Sequence, residues 1–139
     1  MMEVDATTPD EWLAELGDDT MVELDLLVVE SMPDRSRTLR TGTFWGGTDQ
    51  TIIGYGDLVQ QRPSGTSVEW FLVGPARQSR HYSIYVNAVA DGAYLAKRYA
   101  DRLGRVELGA ASIGFTSLER IDLDVVAELL RHADRITSP

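Results

Sequence analysis

The stretch QTIIGYGDLV, at residues 50–59, decides the fold of this chain. It is rich in β-branched and aromatic side chains, which pack well on a pleated sheet, and it therefore predicts a strand. Similar runs at 68–73 and 81–86 predict two more strands, and the turn signals RPSG at 62–65 and Gly74-Pro75 separate the three. Because the connections between successive strands are short, we expect an antiparallel meander.

Helical patterns lie on the amino-terminal side of these strands. The sequence TPDE at 8–11 is a capping-box pattern that opens a short helix, and Gly17 offers the left-handed residue that ends it. Apolar residues at helical spacing predict a second helix from residue 20 up to Pro33. The second half of that segment, at 26–29, also fits a strand, and residues 33–50 predict a loop.

Further helices are predicted on the carboxyl-terminal side. One begins at Asp91-Gly92, has Leu95, Tyr99 and Leu103 on one face, and ends at Gly104. The last begins after Asp122, a residue suited to cap its amino end, and its apolar stripe is Val125, Val126, Leu129, Leu130 and Ala133. Short strands at 106–108 and 112–115 lie between these two helices. A mostly antiparallel sheet with helices at both chain ends is an α+β fold, which is the fold class we predict.

Charge is distributed unevenly along the chain, whose net charge is −9. Residues 1–34 hold 11 of the 22 acids and none of the 13 bases, so this part carries −11 and the remainder carries +2. The predicted helical segment at 8–32 is therefore strongly acidic. Such a segment repels nucleic-acid phosphate and anionic lipid, and it attracts cations or a basic protein partner. Alternatively, these acids have no binding role and only stabilise the amino ends of helices and keep the protein soluble.

Composition excludes several classes of site. The chain has no cysteine, which rules out disulfides, thiolate metal sites and cysteine nucleophiles. Its acidic start lacks the basic region of a secretory signal, and the longest apolar region, 21–29, is too short and too charged to cross a bilayer. We therefore expect a cytoplasmic protein that binds neither membrane nor nucleic acid. Nucleophile elbow, Walker and Rossmann motifs are missing, and we expect no enzymatic activity.

Four carboxylates cluster around the predicted junction of the first two helices. Hard cations, iron(II) among them, accept such carboxylate oxygens. The candidate metal ligands are Glu15, Asp18, Asp19 and Glu23. Alternatively, Asp18 or Asp19 caps the second helix, where an acid gains about 0.3–1 kcal/mol from the helix dipole. The two histidines, His81 and His132, do not have ligand spacing.

Glycines and aromatic side chains around the strands suggest a ligand cleft. Glycines let the backbone approach a ligand closely, aromatic rings supply flat apolar walls, and arginines bind a carboxylate or phosphate. The candidate ligand-binding residues are Trp45, Gly46, Tyr55, Gly56, Trp70, Arg77, Arg80 and Tyr85. On the third strand Tyr85 shares a face with His81 and Ser83, opposite the apolar face of Ile84. Alternatively, the glycines mark bulges and the aromatic rings fill the core.

Five short segments occur in an order that is typical of one protein family. They are Trp45-Gly46-Gly47 with IIGYG at 52–56, GPAR at 74–77, YSIYV at 82–86, Leu103-Gly104-Arg105 with Gly109, and LERIDLDV at 118–125. Together they resemble the YdhG-like family, which is catalogued as a domain of unknown function (DUF1801). The likeness extends over residues 44–130.

The resemblance implies a single domain over residues 1–139 with a frataxin-like arrangement of sheet and helices. Some relatives are described as iron chaperones that assist Fe–S cluster assembly, so it implies a non-enzymatic binding protein that delivers iron. No cofactor is required, and iron is the candidate ligand. This chain departs from the family because residues 109–116 lack a basic side chain and the usual basic pair is reduced to Arg77-Gln78.

Two other functions stay open beside iron delivery. One is a small-molecule or anion binder that uses Arg77 and the aromatic cleft. The other is an acidic protein–protein adaptor that docks a basic partner through residues 1–34. The sequence does not indicate the oligomeric state.

Overall fold

A computed structural model describes residues 8–44, 48–61, 67–77, 81–109 and 111–137, with the side chains of these residues except at 40–51 and 57–70. The helices are α1 (Pro9–Leu16), α2 (Asp19–Ser31) and α3 (Leu123–Ile136), with 3-10 helices at Leu95–Arg102 and Leu118–Arg120. The strands are β1 (Arg37–Phe44), β2 (Thr48–Gln61), β3 (Ser67–Arg77), β4 (Tyr82–Val86), β5 (Val89–Ala90), β6 (Ala93–Tyr94), β7 (Glu107–Leu108) and β8 (Ser112–Phe115). The predicted α+β fold with helices at both ends is confirmed.

Over the described residues, six strands form one antiparallel sheet in the order β1-β2-β3-β4-β8-β7, and β5 pairs with β6 in a separate hairpin. The predicted meander is confirmed as β2, β3 and β4, which are neighbours in this order. Strands β1 and β7 form the two edges of the sheet. The short strand β8 pairs with both β4 and β7, so the carboxyl-terminal part of the chain completes the sheet.

Two local predictions are wrong, and both concern where strands begin and end. Residues 33–50 do not form one long loop, because β1 occupies Arg37–Phe44 and pairs with β2 from Arg37↔Tyr55 to Phe44↔Thr48. Gly74-Pro75 does not break the chain, since both residues lie within β3 and pair with β4. Glycine is required there because a β-carbon on Gly74 would lie 2.7 Å from Ile52 Cγ2. The local sequence of this segment predicts a turn, but tertiary packing makes it part of a strand.

A third local prediction needs correction in the segment after β4. The predicted helix from residue 91 is a hairpin turn followed by a 3-10 helix, Leu95–Arg102. Asp91 (φ 53°) and Gly92 (φ 80°) both adopt the left-handed conformation that a tight hairpin needs. The predicted apolar side of the helix is nevertheless right, because Leu95 and Leu103 are buried in the core.

The main core lies between the helices and one face of the sheet. The helices contribute Trp12, Leu13, Met21, Leu24, Val28, Val125, Val126, Leu129, Leu130 and Ala133, and the strands contribute Ile53, Tyr55, Leu72, Val73, Ile84, Val86, Ile113 and Phe115. A smaller cluster of Ile52, Phe71 and Ala76 lies apart from this core, and Tyr85 packs against it. Ile52 and Ile53 belong to different clusters because adjacent side chains in a strand point to opposite faces.

The caps of α1 and α3 lie where the sequence predicts them. Thr8 Oγ1 accepts the Glu11 N–H at 3.2 Å, and Gly17 ends α1 at φ 63°. The Asp122 side chain caps α3 by accepting the N–H groups of Asp124 and Val125. These caps fix the ends of the helices relative to the strands that they cover.

Arg35, just before β1, ties the last helix to the first strand. Its Nε donates to Asp134 Oδ1 at 2.6 Å. Its Nη2 donates to the Asp134 carbonyl at 3.0 Å and to the Thr137 carbonyl at 2.7 Å. Because the last carbonyls of a helix lack partners inside it, this arginine satisfies the carboxyl end of α3.

Candidate functional site

Helix α2 carries apolar side chains on both of its sides. Its inner side is core, and Met21, Leu24 and Val28 are at most 1% exposed. On the outer side Val22, Leu26 and Val29 are 45%, 53% and 37% exposed. Residues at i, i+4 and i+7 lie along one face of a helix, so these three form a continuous line over about two helical turns. We call Val22, Leu26 and Val29 the outer stripe.

Exposed acids border the outer stripe. At 3.6 residues per turn, Asp19, Glu23 and Glu30 fall together along one edge of the stripe. All three are exposed. Neither α1 nor α2 contains Lys or Arg, so no basic side chain of these helices neutralises this edge. The surface thus combines an apolar line with a negative border.

Asp18 stands at the amino end of α2 and is already fully engaged. Its Oδ1 accepts the N–H groups of Thr20 (2.9 Å) and Met21 (3.4 Å). Its Oδ2 accepts the Tyr82 hydroxyl at 2.7 Å and lies 3.3 Å from Arg77 Nε. The side chain of Asp18 is only 12% exposed. Burial, reinforced by the bond to Asp18, raises the pKa of the Tyr82 hydroxyl, so this tyrosine stays a donor.

The structure does not bring the four predicted metal ligands together. Glu15, Asp19 and Glu23 point into solvent, whereas Asp18 is turned inward to cap α2 and to bind Tyr82. Among the described residues, no group of three or more His, Asp or Glu side chains is placed to hold a metal ion. The alternative interpretation of Asp18, that of a helix cap, is therefore the observed one.

A buried polar cluster fastens the inner side of α2 to the sheet. Arg37 donates from Nε to Asp25 Oδ1 (2.9 Å) and from Nη2 to Asp25 Oδ2 (2.7 Å), and Nη2 also reaches Asp10 of α1 (2.9 Å). The Tyr55 hydroxyl donates to the same Asp25 Oδ1. The bond to Asp25 raises the pKa of Arg37 above its ordinary value, despite partial burial. Burial first, and then the neighbouring Asp25 carboxylate, raise the pKa of Tyr55 far above its ordinary value.

The described members of the predicted ligand cleft lie on different faces of the sheet. Tyr55 is 1% exposed on the helix-covered face, where it binds Asp25. Tyr85 is half-buried and packs with the smaller cluster of Ile52, Phe71 and Ala76. Arg77 sits at the end of β3, beside Asp18. The structure therefore does not gather Tyr55, Tyr85 and Arg77 around one cleft.

Gly56 has a structural reason to be glycine. Its φ of +79° is left-handed, and its N–H donates to the Ser36 carbonyl at 2.8 Å. A β-carbon there would lie 3.2 Å from Leu72 Cβ and 3.3 Å from Arg35 Cδ. This is the alternative that the sequence left open, in which the glycine serves the sheet.

The side chains of the remaining members of the predicted cleft lie outside the described part of the structure. Trp45, Gly46 and Arg80 are not among the described residues. Trp70 is described in its backbone alone, which lies in β3 opposite Leu58.

Sequence reasoning missed the outer stripe and the Asp25–Arg37 pair. The stripe has a sequence signal, because the three apolar residues recur at i, i+4 and i+7 out of phase with the core residues of the same helix. Asp25 also has one, since it falls at helical spacing among core residues, where an acid needs a partner. The identity of that partner has no local signal, because Arg37 lies in a different element and is brought to Asp25 by the fold.

No family model matches this chain, and no curated protein or solved structure matches it either. The resemblance to the YdhG-like family therefore stays a prediction. In the part of the chain that the structure describes, no helix has both the length and the apolar character needed to cross a membrane.

Proposed function

We propose that this chain is a non-enzymatic protein-binding module that holds a basic partner on the outer side of α2. One observation carries the proposal: the outer stripe of Val22, Leu26 and Val29 stays exposed on a helix whose other side is fully packed. Single exposed apolar residues are ordinary, but a continuous apolar line with a polar border is typical of a protein-binding surface. Covering these side chains with a partner removes apolar surface from water and favours association.

The negative border gives the partner its charge. Asp19, Glu23 and Glu30 lie along the stripe, and residues 1–34 contain no basic side chain. Complementary charge speeds encounter and excludes acidic proteins, while the apolar stripe supplies affinity. An acidic surface on this side therefore selects a partner with lysines or arginines beside its own apolar residues.

The inner polar cluster supports this surface indirectly. Asp25 and Arg37 hold α2 against β1, and Tyr55 joins it to β2. A helix fastened on its inner side presents the outer stripe without a large ordering cost when a partner binds. Iron delivery has less support, because Asp18, the most buried of the four candidate ligands, already has partners on both of its oxygens.

The proposal can be tested with a synthetic helix-forming peptide that carries leucines at i, i+4 and i+7 and lysines along one flank. Isotope-labelled protein is titrated with this peptide and followed by amide chemical shifts. We expect shifts centred on Val22, Leu26 and Val29, weakened by added salt because the charges are exposed. A matched peptide with glutamates in place of the lysines should not bind.

Matched variants separate the outer stripe from apolar surface in general. Leu26→Lys should weaken peptide binding at least about tenfold, which corresponds to ~1.4 kcal/mol. Val89→Lys is the control, because Val89 is equally exposed at 55% but lies on the β5–β6 hairpin. Likewise Glu23→Lys should weaken binding, whereas Glu119→Lys, an exposed acid far along the chain, should not. Equal effects in the test and control variants, or no shifts on α2, would refute the proposal.

Sedimentation of the free protein distinguishes a partner protein from a second copy of this chain. Two copies that met through their outer stripes would also bring their acidic borders close together, which costs energy. We therefore expect the free protein to sediment as a monomer over the concentrations used. Self-association that Leu26→Lys abolishes would show that a second copy, and not a basic partner, occupies the stripe.

A further inference from the structure

Arg77 places one positive charge at the amino end of α2. Its Nε lies 3.3 Å from Asp18 Oδ2, and its side chain is 48% exposed. Across β3 and β4 it pairs in register with Tyr82, which also binds Asp18. Among the described residues, no hydrogen bond to the two terminal nitrogens of Arg77 is found. These nitrogens form the flat fork that binds a carboxylate through two parallel hydrogen bonds.

The position of Arg77 relates it to the outer stripe. The Asp18 carbonyl accepts the Val22 N–H at 3.2 Å, so Asp18 lies one helical turn before the first residue of the stripe. Arg77, in contact with Asp18, therefore lies at the amino end of α2, about one turn before the stripe begins. Asp19, Glu23 and Glu30 border the stripe on one edge along its whole length. Of the described arginines that follow α2, Arg35 pairs with Asp134, and Arg37 pairs with Asp25 and Asp10. The exposed Arg77 therefore distinguishes the amino end of the stripe from its other end.

The chemistry of α2 favours a helix as the partner. The backbone of a helix interior has no free hydrogen-bonding groups, so a strand cannot extend it as it extends a sheet edge. Binding must rely on side chains, and apolar residues at i, i+4 and i+7 are the spacing with which one helix packs against another. A basic helix that covers Val22, Leu26 and Val29 would extend past Val22 toward Arg77.

We propose, on the basis of the function proposed above, that the partner segment is an amphipathic helix that binds in a single direction. Its basic residues face Asp19, Glu23 and Glu30, and an acidic residue about one turn beyond its apolar residues meets the Arg77 fork. Arg77 is then the residue that determines direction, because a helix bound the other way would place its acidic residue away from Arg77. A free carboxylate or phosphate ion is the alternative ligand, because it can form the same hydrogen bonds with the Arg77 fork without a helix.

The test uses three versions of the lysine-flanked peptide with the intact protein. The first carries a glutamate placed to meet Arg77, the second carries glutamine at that position, and the third carries the glutamate at the opposite end. We expect the first to bind up to about fivefold more tightly than the other two, the range of an exposed charge pair. This comparison leaves the protein unchanged, so no effect on folding can produce the difference.

Variants of the protein complete a double-mutant cycle. Arg77→Gln should remove the preference for the first peptide, and Arg77→Lys, which keeps the charge without the fork, should keep part of it. Arg98→Gln is the matched control, because Arg98 is exposed to a similar extent, at 46%, and pairs with Asp91 instead. Only the Arg77 variants should change the preference.

The outcomes separate this inference from the proposed function. If none of the three peptides binds, the proposed function fails and this inference fails with it. If all three bind α2 equally tightly and Arg77→Gln changes nothing, the binding surface stands and the directional role of Arg77 is refuted. If millimolar acetate or phosphate shifts the Arg77 resonances and the peptides show no preference, Arg77 binds small anions and the directional role is again refuted.

Discussion

Replacing Arg37 with methionine tests how much the inner polar cluster stabilises the fold. The substitution keeps an unbranched side chain of similar length but removes the two hydrogen bonds to Asp25, at 2.9 and 2.7 Å. The Asp25 side chain is 13% exposed. Without Arg37 its charge would stay mostly buried, and it would keep the hydrogen bond from the Tyr55 hydroxyl. Breaking one half of a fully buried ion pair costs about 3–5 kcal/mol.

The expected cost here is smaller because the pair is not fully buried. The Arg37 side chain is 23% exposed, so water can partly replace it beside Asp25. We therefore expect Arg37→Met to lower the free energy of unfolding by about 2–4 kcal/mol. The additional contact with Asp10, whose side chain is 86% exposed, should account for little of this. For a chain of this length each kcal/mol lowers the melting temperature by roughly 3–5 °C.

Urea unfolding followed by circular dichroism measures this change, and a second variant identifies its cause. In an Asp25→Asn background, removing Arg37 leaves no carboxylate unpaired, so Arg37→Met should cost at least about 1 kcal/mol less than it does alone. Arg102→Met serves as the surface control, because Arg102 and Glu128 are both about half exposed, and it should have a much smaller effect. If Arg37→Met costs the same in both backgrounds, the argument from an unpaired buried carboxylate is refuted.

Three further predictions concern pH and close packing. Because the fold raises the pKa of Tyr55, the contribution of this residue to stability is complete below its ordinary pKa of 10.0 and is lost as the pH rises above that value. Above this pH the free energy of unfolding should fall less steeply for Tyr55→Phe than for the parent, by about 1.4 kcal/mol per pH unit. Glu128 has its pKa lowered by hydrogen bonding to Arg102, so its contribution is present above pH 4.5 and disappears on acidification. Glu128→Gln should flatten the acid side of the same stability curve, and an unchanged curve would contradict this. Gly74→Ala should cost about 1–3 kcal/mol by overpacking, since its β-carbon would lie 2.7 Å from two side-chain atoms; Gly114→Ala, whose nearest contact would be 3.5 Å, should be nearly neutral in the same denaturant assay.

Local chemistry explains why much of the fold could be predicted. The cap at Thr8, the left-handed Gly17 and the cap at Asp122 act on their own neighbours within a few residues, so the sequence contains the whole interaction. The apolar stripe of α3 and the apolar face of β4 are likewise periodic patterns along one element. Each of these predictions depends on short-range geometry that is the same in any protein.

The features that the sequence did not predict depend on contacts made only in the folded protein. Gly74-Pro75 has the composition of a turn, yet it continues β3 because β4 pairs with it and because Ile52 and Phe71 leave no room for a β-carbon. No pattern in the sequence around Arg37 predicts that it forms an ion pair. Its partner Asp25 is twelve residues away in another element. The pattern around one member of such a contact does not identify the other, because the fold brings the two together.

For the candidate site, too, some properties follow from the sequence and others only from the tertiary structure. Sequence alone determined that the amino-terminal helices are acidic and free of basic residues, and that α2 has apolar residues around most of its circumference. Only the tertiary structure decided which of those apolar residues are covered, and that Asp18 and Asp25 turn inward while Asp19, Glu23 and Glu30 remain in solvent. The physical reason is that charge and hydrophobicity belong to each residue, whereas exposure and pairing depend on which other elements pack against it.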